Sequence, residues 1–141
     1  YDAIILSYAG IQSLKMNNEV SEIFSVEEFI PSAGQGIICL QCRENDDEIL
    51  SILEKVNHKE TSQRANAERN VLKILEGDCE TAVGAHAKIY GNEISLEAEL
   101  FSLDGSQRFY EKKTAKTEKA KELGTEVGKI LKLKSNNLYK R

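Results

Sequence analysis

Short apolar runs open the chain, and amphipathic stretches replace them further along. Strand-like runs lie at residues 2–6, 23–30 and 37–42. The first and third are nearly continuous in apolar residues, which is typical of strands buried on both faces of a sheet. Ile11 and Leu14, three residues apart, predict a short helix between the first two runs. The opening part is therefore predicted to be an α/β segment.

Two helices are predicted next. Asn45 and Asn57 each precede a glutamate by three residues, a pattern typical of helix N-termini. Apolar residues then recur at helical spacing, at Ile49, Leu50, Leu53 and Val56 after the first cap and at Ala65, Val71, Leu72 and Leu75 after the second. Gly77 is the predicted stop of the second helix, which places Cys79 in a loop.

Alternating apolar and polar positions predict three antiparallel strands between residues 83 and 114. Gly91-Asn92 and Asp104-Gly105 are the turn signals between them, and residues 108–114 form the charged edge strand. The sheet face that carries Glu97 and Glu99 is expected to be solvated.

A last helix is predicted after Thr117, which would cap it. Its Gly124 and Gly128 are expected to allow close packing against the sheet, and the polar tail from Ser135 is expected to fray. Residues 55–134 thus describe an α+β unit in which helices cover one face of a three-stranded sheet.

Composition excludes several classes of function. The net charge of −4 makes nucleic acid an unexpected partner, and no apolar run approaches the roughly 20 residues that span a bilayer. Three cysteines without disulfide-framework spacing predict a reducing cytoplasm. No basic segment precedes the first apolar run, so we expect no secretory signal. The first residue is Tyr, so we expect a piece of a longer protein.

Cysteines are the first candidates for chemistry. Cys79, in its loop after a helix, is either an accessible reactive thiol or a small buried apolar residue. Cys39 and Cys42 form a C-x-x-C pattern, but further zinc ligands with suitable spacing are missing from the sequence. A redox C-x-x-C normally opens a helix, whereas this pair falls in a predicted strand. No metal site is therefore predicted.

Carboxylate or anion binding is the other candidate chemistry. Arg43, Arg64 and Arg69 can each clamp a carboxylate through two hydrogen bonds, although each can also be a solvated surface charge. Gly34-Gln35-Gly36 can present backbone N–H groups to an anion, or form a simple turn. These residues alone indicate an α/β plus α+β protein with one suggestive loop thiol.

Short motifs follow one another along essentially the whole chain. They are Asp2–Leu6 with Ala9-Gly10-Ile11, Pro31–Gly36, Cys42-Arg43, Asn57–Thr61 with Arg64, Ala67-Glu68-Arg69, Leu75–Cys79, Val83-Gly84-Ala85 and Asp104-Gly105-Ser106. In order and spacing they resemble porphobilinogen deaminases, also called hydroxymethylbilane synthases. The Leu-Glu-Gly-x-Cys block is the most specific of them, because in that family its cysteine holds a dipyrromethane cofactor through a thioether.

The resemblance implies a division of the chain. The complete enzymes have two α/β domains like those of periplasmic binding proteins, which flank a cleft, and a third α+β domain that carries the cofactor cysteine. On that template residues 1–36 end domain 2, residues 37–54 cross back into domain 1, and residues 55–141 are the C-terminal domain. The N-terminal half would be missing, and the complete enzyme is expected to be a monomer.

The resemblance also implies a function. The family is a transferase that joins four porphobilinogens into the linear hydroxymethylbilane, with release of ammonia, on the dipyrromethane primer. Cys79 would carry the primer, Gly10, Gln35 and Gly36 would line its wall, and the three arginines would bind carboxylates. The family's catalytic aspartate belongs to the missing half, so no catalytic residue is predicted here and the fragment alone is expected to be inactive.

One position departs from the family pattern. Ser13 stands where the family usually has an arginine, and Lys15 is the nearby cation that would partly replace it. The alternative interpretation is a binding module that holds a carboxylated ligand without turnover. A third is a thiol or metal protein that uses Cys39 and Cys42.

Overall fold

The computed structural model describes residues 2–76 and 81–140. Its first part contains two helices, α1 (Tyr8–Ser13) and α2 (Asp47–Val56), and a 3₁₀ turn at Asn17–Glu19. Helix α1 confirms the short helix predicted from apolar spacing, and α2 confirms the first of the two capped helices. Neither α1 nor α2 contains a buried residue.

The strands predicted at residues 2–6, 23–30 and 37–42 are wrong for this structure, in which these segments form no strand. A strand needs a neighbour for its backbone hydrogen bonds, and these segments have no strand neighbour within the described residues. Their apolar side chains are instead largely in solvent, with Ile4 71% and Ile38 90% exposed. The assignment of this part to domains like those of periplasmic binding proteins stays a prediction.

Helix α3 (Lys59–Leu75) confirms the second predicted helix. Both caps lie one residue later than predicted, because Asp46 accepts the N–H of Ile49 and His58 accepts the N–H of Thr61. At the other end the left-handed backbone conformation falls on Glu76, with φ of 53°. The predicted stop at Gly77 lies outside the described residues.

The three predicted strands are confirmed as β1 (Val83–Tyr90), β2 (Glu93–Phe101) and β3 (Arg108–Lys116). They form an antiparallel sheet in the order β1-β2-β3, and Ala85 pairs with Ala98 in the middle of the first hairpin. Gly91 has a φ of 60° and Gly105 of 70°, so both predicted turns use backbone that glycine adopts without strain.

The core lies between this sheet and two helices, α3 and α4 (Ala120–Ser135). All its fully packed members fall between residues 67 and 139. The glycines of α4 pack against α3 rather than against the sheet as predicted. A Cβ at Gly124 would overlap the carbonyl of Ala67, and one at Gly128 would lie 2.8 Å from the Cβ of Ile74. The two helices approach closely because these positions lack side chains.

The other face of the sheet is less solvated than predicted. Glu99 is only 8% exposed, because Arg108 from the adjacent strand covers it and donates to its carboxylate at 2.7 Å. Glu97 receives the hydroxyl of Tyr110 at 3.1 Å. Long side chains of β3 thus screen the carboxylates of β2.

Two predictions at the end of the chain are wrong. The hydroxyl of Thr117 does not cap the last helix but donates to the side chain of Asn92 at 3.1 Å, and a 3₁₀ turn (Thr117–Lys119) leads into α4. The tail after Ser135 does not fray, because Tyr139 returns to the core and is 1% exposed. A large aromatic ring makes this polar segment a packed element.

Candidate functional site

The loop Pro31–Gly36, with the residues just before it, runs along the free edge of β1. The carbonyl of Pro31 accepts the N–H of Ala85 at 2.9 Å. A Cβ at Gly84 would lie 2.5 Å from the carbonyl oxygen of Ile30, so this close approach requires glycine. Two of the family-like motifs, Pro31–Gly36 and Val83-Gly84-Ala85, are therefore in direct contact.

Glu68 of α3 connects the loop Pro31–Gly36 to strand β1. Its carboxylate accepts the N–H of Gly34 at 2.8 Å through one oxygen and the N–H of Ala87 at 2.8 Å through the other. The residue is 2% exposed. A buried carboxylate is stable only when such donors replace water. The sequence prediction used Glu68 only as part of the Ala67-Glu68-Arg69 motif and did not recognise this role.

His86 and Arg64 lie beside this carboxylate. The Nδ1 atom of His86 is 3.9 Å from Glu68, and burial lowers the pKa of His86 more than the carboxylate raises it. The imidazole is therefore mostly neutral at pH 7. Arg64 has a buried Nε–H that meets no acceptor among the described residues. An unused buried donor on a guanidinium calls for an acceptor that the described residues do not supply.

The residues predicted to line the cofactor are exposed, and they belong to two separate segments of the structure. Gly10 lies in the exposed helix α1, whereas Gln35 and Gly36 lie at the exposed end of the loop beside β1. A Cβ at Gly10 or Gly36 would meet nothing within 4 Å, and Gly36 has a φ of 77°. The left-handed backbone explains glycine at residue 36, whereas no contact with a described residue explains it at residue 10.

The three arginines do not converge on one site. Arg43 is exposed and pairs with Asp46, at the start of α2. Arg64 and Arg69 are both on α3, but five residues of an α-helix turn through about 140°. Arg64 is accordingly partly buried on the side of Glu68, while Arg69 is exposed. Of the predicted carboxylate ligands, only Arg64 lies on the side of α3 that carries Glu68, where its charge acts on His86.

Cys79 lies in residues 77–80, outside the described residues, but the segment that leads to it is firmly held. Tyr139 donates its hydroxyl to the carbonyl of Leu75 at 2.8 Å. Lys132 of α4 contacts the Ile74 carbonyl at 3.3 Å and the Glu76 carboxylate at 2.8 Å. These donors satisfy carbonyls that the end of a helix leaves unpaired. The polar tail gave no sequence signal for this contact.

The other cysteine hypothesis gains nothing from the structure. Cys39 and Cys42 are free thiols, the first exposed and the second partly buried. Within residues 2–76 and 81–140, no three His, Cys, Asp or Glu side chains are grouped as metal ligands. Over the same residues, no helix has the length and apolar character needed to cross a membrane.

Two family models match consecutive parts of the chain. Residues 1–51 match the model described as porphobilinogen deaminase, dipyromethane cofactor binding domain. Residues 62–133 match the model described as porphobilinogen deaminase, C-terminal domain. The second match covers the unit built from α3, the sheet and α4.

Curated relatives carry the same name. A porphobilinogen deaminase of Desulforamulus reducens is 38% identical over 130 residues, which cover 92% of this chain and 42% of that protein. A porphobilinogen deaminase of Coxiella burnetii (strain RSA 493) is 38% identical over 131 residues, which cover 93% of this chain and 43% of that protein. The chain thus spans less than half the length of these relatives. With both family models matched in order, the chain belongs to the porphobilinogen deaminase family.

Proposed function

We propose that this chain is the C-terminal part of a porphobilinogen deaminase, a transferase that joins four porphobilinogens into hydroxymethylbilane with release of ammonia. The observation that carries the proposal is the pair of family matches, at residues 1–51 and 62–133, which follow each other along the chain. We place its work in the cytoplasm, as the thiol content suggests. The complete enzyme is proposed to be a monomer.

Within that enzyme, Cys79 is proposed to hold the dipyrromethane through a thioether. When bound, this group supplies the primer on which the pyrrole chain grows. The chain's own contribution is to place the thiol, because Tyr139 and Lys132 fix the end of α3 just before residues 77–80. The pyrroles of the family's substrate carry acetate and propionate groups, and Arg64, whose Nε–H has no acceptor among the described residues, is proposed to bind such a carboxylate.

We further propose that residues 1–36 end domain 2, residues 37–54 enter domain 1, and residues 55–141 form the cofactor-bearing domain. The exposed apolar side chains of residues 2–56 support this division. Among the described residues, 15 of the 20 exposed large apolar side chains lie in that range. Exposed apolar surface on this scale indicates a missing partner surface, here the N-terminal half of the same enzyme.

The proposal implies that the chain by itself is inactive. General acid–base catalysis requires a group within hydrogen-bond reach of the reacting atoms, and the resemblance assigns that group, an aspartate, to the N-terminal half. Binding of the substrate carboxylates also needs both walls of the cleft to orient the pyrroles.

Complementation tests the proposal. The 141-residue chain is incubated with porphobilinogen alone, and then together with the part of the Desulforamulus reducens relative that the chain does not match. We expect ammonia release only from the mixture, and a mass increase of two pyrrole units that peptide mapping assigns to Cys79. Cys79→Ser should abolish this increase, whereas the matched control Cys42→Ser should keep it.

Other outcomes contradict the proposal in distinct ways. Reversible binding of a carboxylated pyrrole without covalent adduct would favour the binding module. Bound zinc, or a disulfide between Cys39 and Cys42, would favour the thiol or metal protein. Turnover by the purified chain alone would refute the assignment of the acid–base group to another part of the enzyme.

A further inference from the structure

Glu68 is a buried acid whose two oxygens serve two distant segments. One oxygen accepts the N–H of Gly34, 34 residues earlier, and the other accepts the N–H of Ala87, 19 residues later. A fully buried carboxylate is costly, and here hydrogen bonds from two backbone donors compensate that cost. This arrangement differs from an ordinary helix–sheet contact, because it connects the loop Pro31–Gly36, helix α3 and strand β1.

The edge of β1 explains why an acceptor is needed. In an antiparallel strand, alternate residues direct their N–H groups away from the neighbouring strand. On β1 these include Ala85, which bonds to the Pro31 carbonyl at 2.9 Å, and Ala87, which bonds to Glu68. Ala87 is fully buried, so water cannot replace this acceptor. The loop carbonyl and the Glu68 carboxylate together stand in for an absent fourth strand.

The same carboxylate then fixes the loop. Gly34 adopts a φ of 79° and directs its N–H to Glu68, and the next two residues are Gln35 and Gly36. Ala33, on the other side of Gly34, packs against the core. The loop is therefore held at Pro31, Ala33 and Gly34. Because residues 35 and 36 follow directly after Gly34, their backbone has little freedom where it leaves this residue.

We propose that Glu68 is a positioning residue, which fastens the loop Pro31–Gly36 to β1 and so sets the place of Gln35 and Gly36. The inference rests on the proposed function in one respect: it assigns those two residues to the wall of the dipyrromethane site. The hydrogen bonds themselves do not depend on that assignment. The competing explanation is that Glu68 only satisfies Ala87 and that the loop holds its place without it.

Backbone hydrogen exchange of the 141-residue chain separates the two explanations. Glu68→Ala removes both acceptors, and Glu60→Ala removes an exposed acid from the first turn of the same helix as a matched control. In Glu68→Ala we expect the Gly34 amide to exchange about 10-fold faster or more, and the amide resonances of Gln35 and Gly36 to move. Glu60→Ala should change neither.

An amide inside β2, for example that of Leu96, serves as the reference for a loss of global stability. The proposal requires exchange at Gly34 to rise more than exchange at Leu96, since a merely structural role would accelerate both equally. Unchanged exchange at Gly34 in a folded Glu68→Ala chain would overturn it. If Glu68→Ala does not fold, the wild-type chain decides, because a Gly34 amide that exchanges like an open loop would equally overturn it.

Reconstitution with the N-terminal part of the relative gives the functional arm. We expect Glu68→Ala to load less dipyrromethane on Cys79 than Glu60→Ala does. Normal loading with a released Gly34 amide would show that the loop is fastened by Glu68 but does not form the cofactor wall. Absence of loading in the wild-type chain would instead refute the proposed function, and the exchange result would still stand.

Discussion

Removing one oxygen atom from Tyr139 tests how firmly the end of α3 is held. Tyr139→Phe keeps the ring, which is 1% exposed, and deletes the hydroxyl that donates to the Leu75 carbonyl at 2.8 Å. A net hydrogen bond contributes about 1 kcal/mol, and a buried acceptor left without a donor costs about 1–3 kcal/mol. The substitution should therefore lower the free energy of unfolding by about 1–2 kcal/mol.

Urea unfolding followed by circular dichroism measures this difference in free energy. In a separate thermal scan, we expect the Tm of a chain of this size to fall by about 3–6 °C. Tyr110→Phe is the matched control, because its hydroxyl bonds to Glu97 at a ring that is 39% exposed. Its stability should stay within about 0.5 kcal/mol of the wild type. Equal losses in both variants, or no loss in Tyr139→Phe, would refute the reasoning.

Alkaline pH gives an independent check on the same residue. Burial raises the pKa of Tyr139 above its ordinary value near 10, so the folded chain keeps this hydroxyl protonated when the unfolded chain has begun to lose it. The folded state then binds more protons, and its stability falls as pH rises above about 10. The stability difference between wild type and Tyr139→Phe should accordingly shrink above that pH.

Three further predictions concern packing, charge and local stability. Gly124→Ala should destabilise the chain by about 1–3 kcal/mol in urea unfolding, because its Cβ would overlap the backbone of α3, whereas Gly10→Ala in open helix α1 should not. The hydroxyl of Ser102 and other donors lower the pKa of Asp104 from its ordinary value of 3.8 to about 2. These bonds therefore stabilise the fold above pH 3.8, and this contribution is lost as the pH falls through about 2. An NMR titration of the Asp104 carboxyl should show a midpoint at about 2. Amides of residues 2–56 should exchange faster than those of the sheet, and equal protection would show that their apolar residues are covered by self-association.

The α+β unit could be predicted because its signals are local. Alternation at Ile94, Leu96, Ala98 and Leu100 identifies a strand, and Asp104-Gly105 identifies the turn after it. These elements pair with their neighbours in sequence, so each strand finds its partner within a few residues of a turn. A periodic pattern and a nearby partner together were sufficient for the confirmed elements.

The first part of the chain shows what a pattern alone does not settle. Ile4, Ile5 and Leu6 are as apolar as a buried strand, yet they are 59–71% exposed. A strand that belongs in a parallel sheet receives its partners from distant segments, and apolar character does not say whether those segments are present. The same apolar pattern predicts a strand at Cys39 and Cys42, and this prediction was the argument against a redox C-x-x-C. The structure has no strand at these residues.

The contacts that organise the candidate site could not be predicted from the sequence, because they are long-range and polar. Glu68 reaches Gly34 across 34 residues, and Tyr139 reaches Leu75 across 64 residues. A glutamate in a helix and a tyrosine in a polar tail are usually surface residues, so neither position predicts burial. The need for Glu68 becomes apparent only from the sheet, because the N–H of Ala87 at the edge of β1 has no neighbouring strand to accept it.

Helix α3 connects these two contacts and thereby relates the two halves of the candidate site. Glu68 lies seven residues before Leu75, which corresponds to about two helical turns and about 10 Å of rise. The loop that bears Gln35 and Gly36 is fastened at the first point, and the segment leading to Cys79 is fastened at the second. Because a packed helix moves as a rigid body, the separation between this loop and the segment that leads to residues 77–80 follows from helix geometry rather than from loop conformation. Under the proposed function, a covalently held pyrrole chain must stay in register with the residues around it, and a fixed separation of this kind would serve that need.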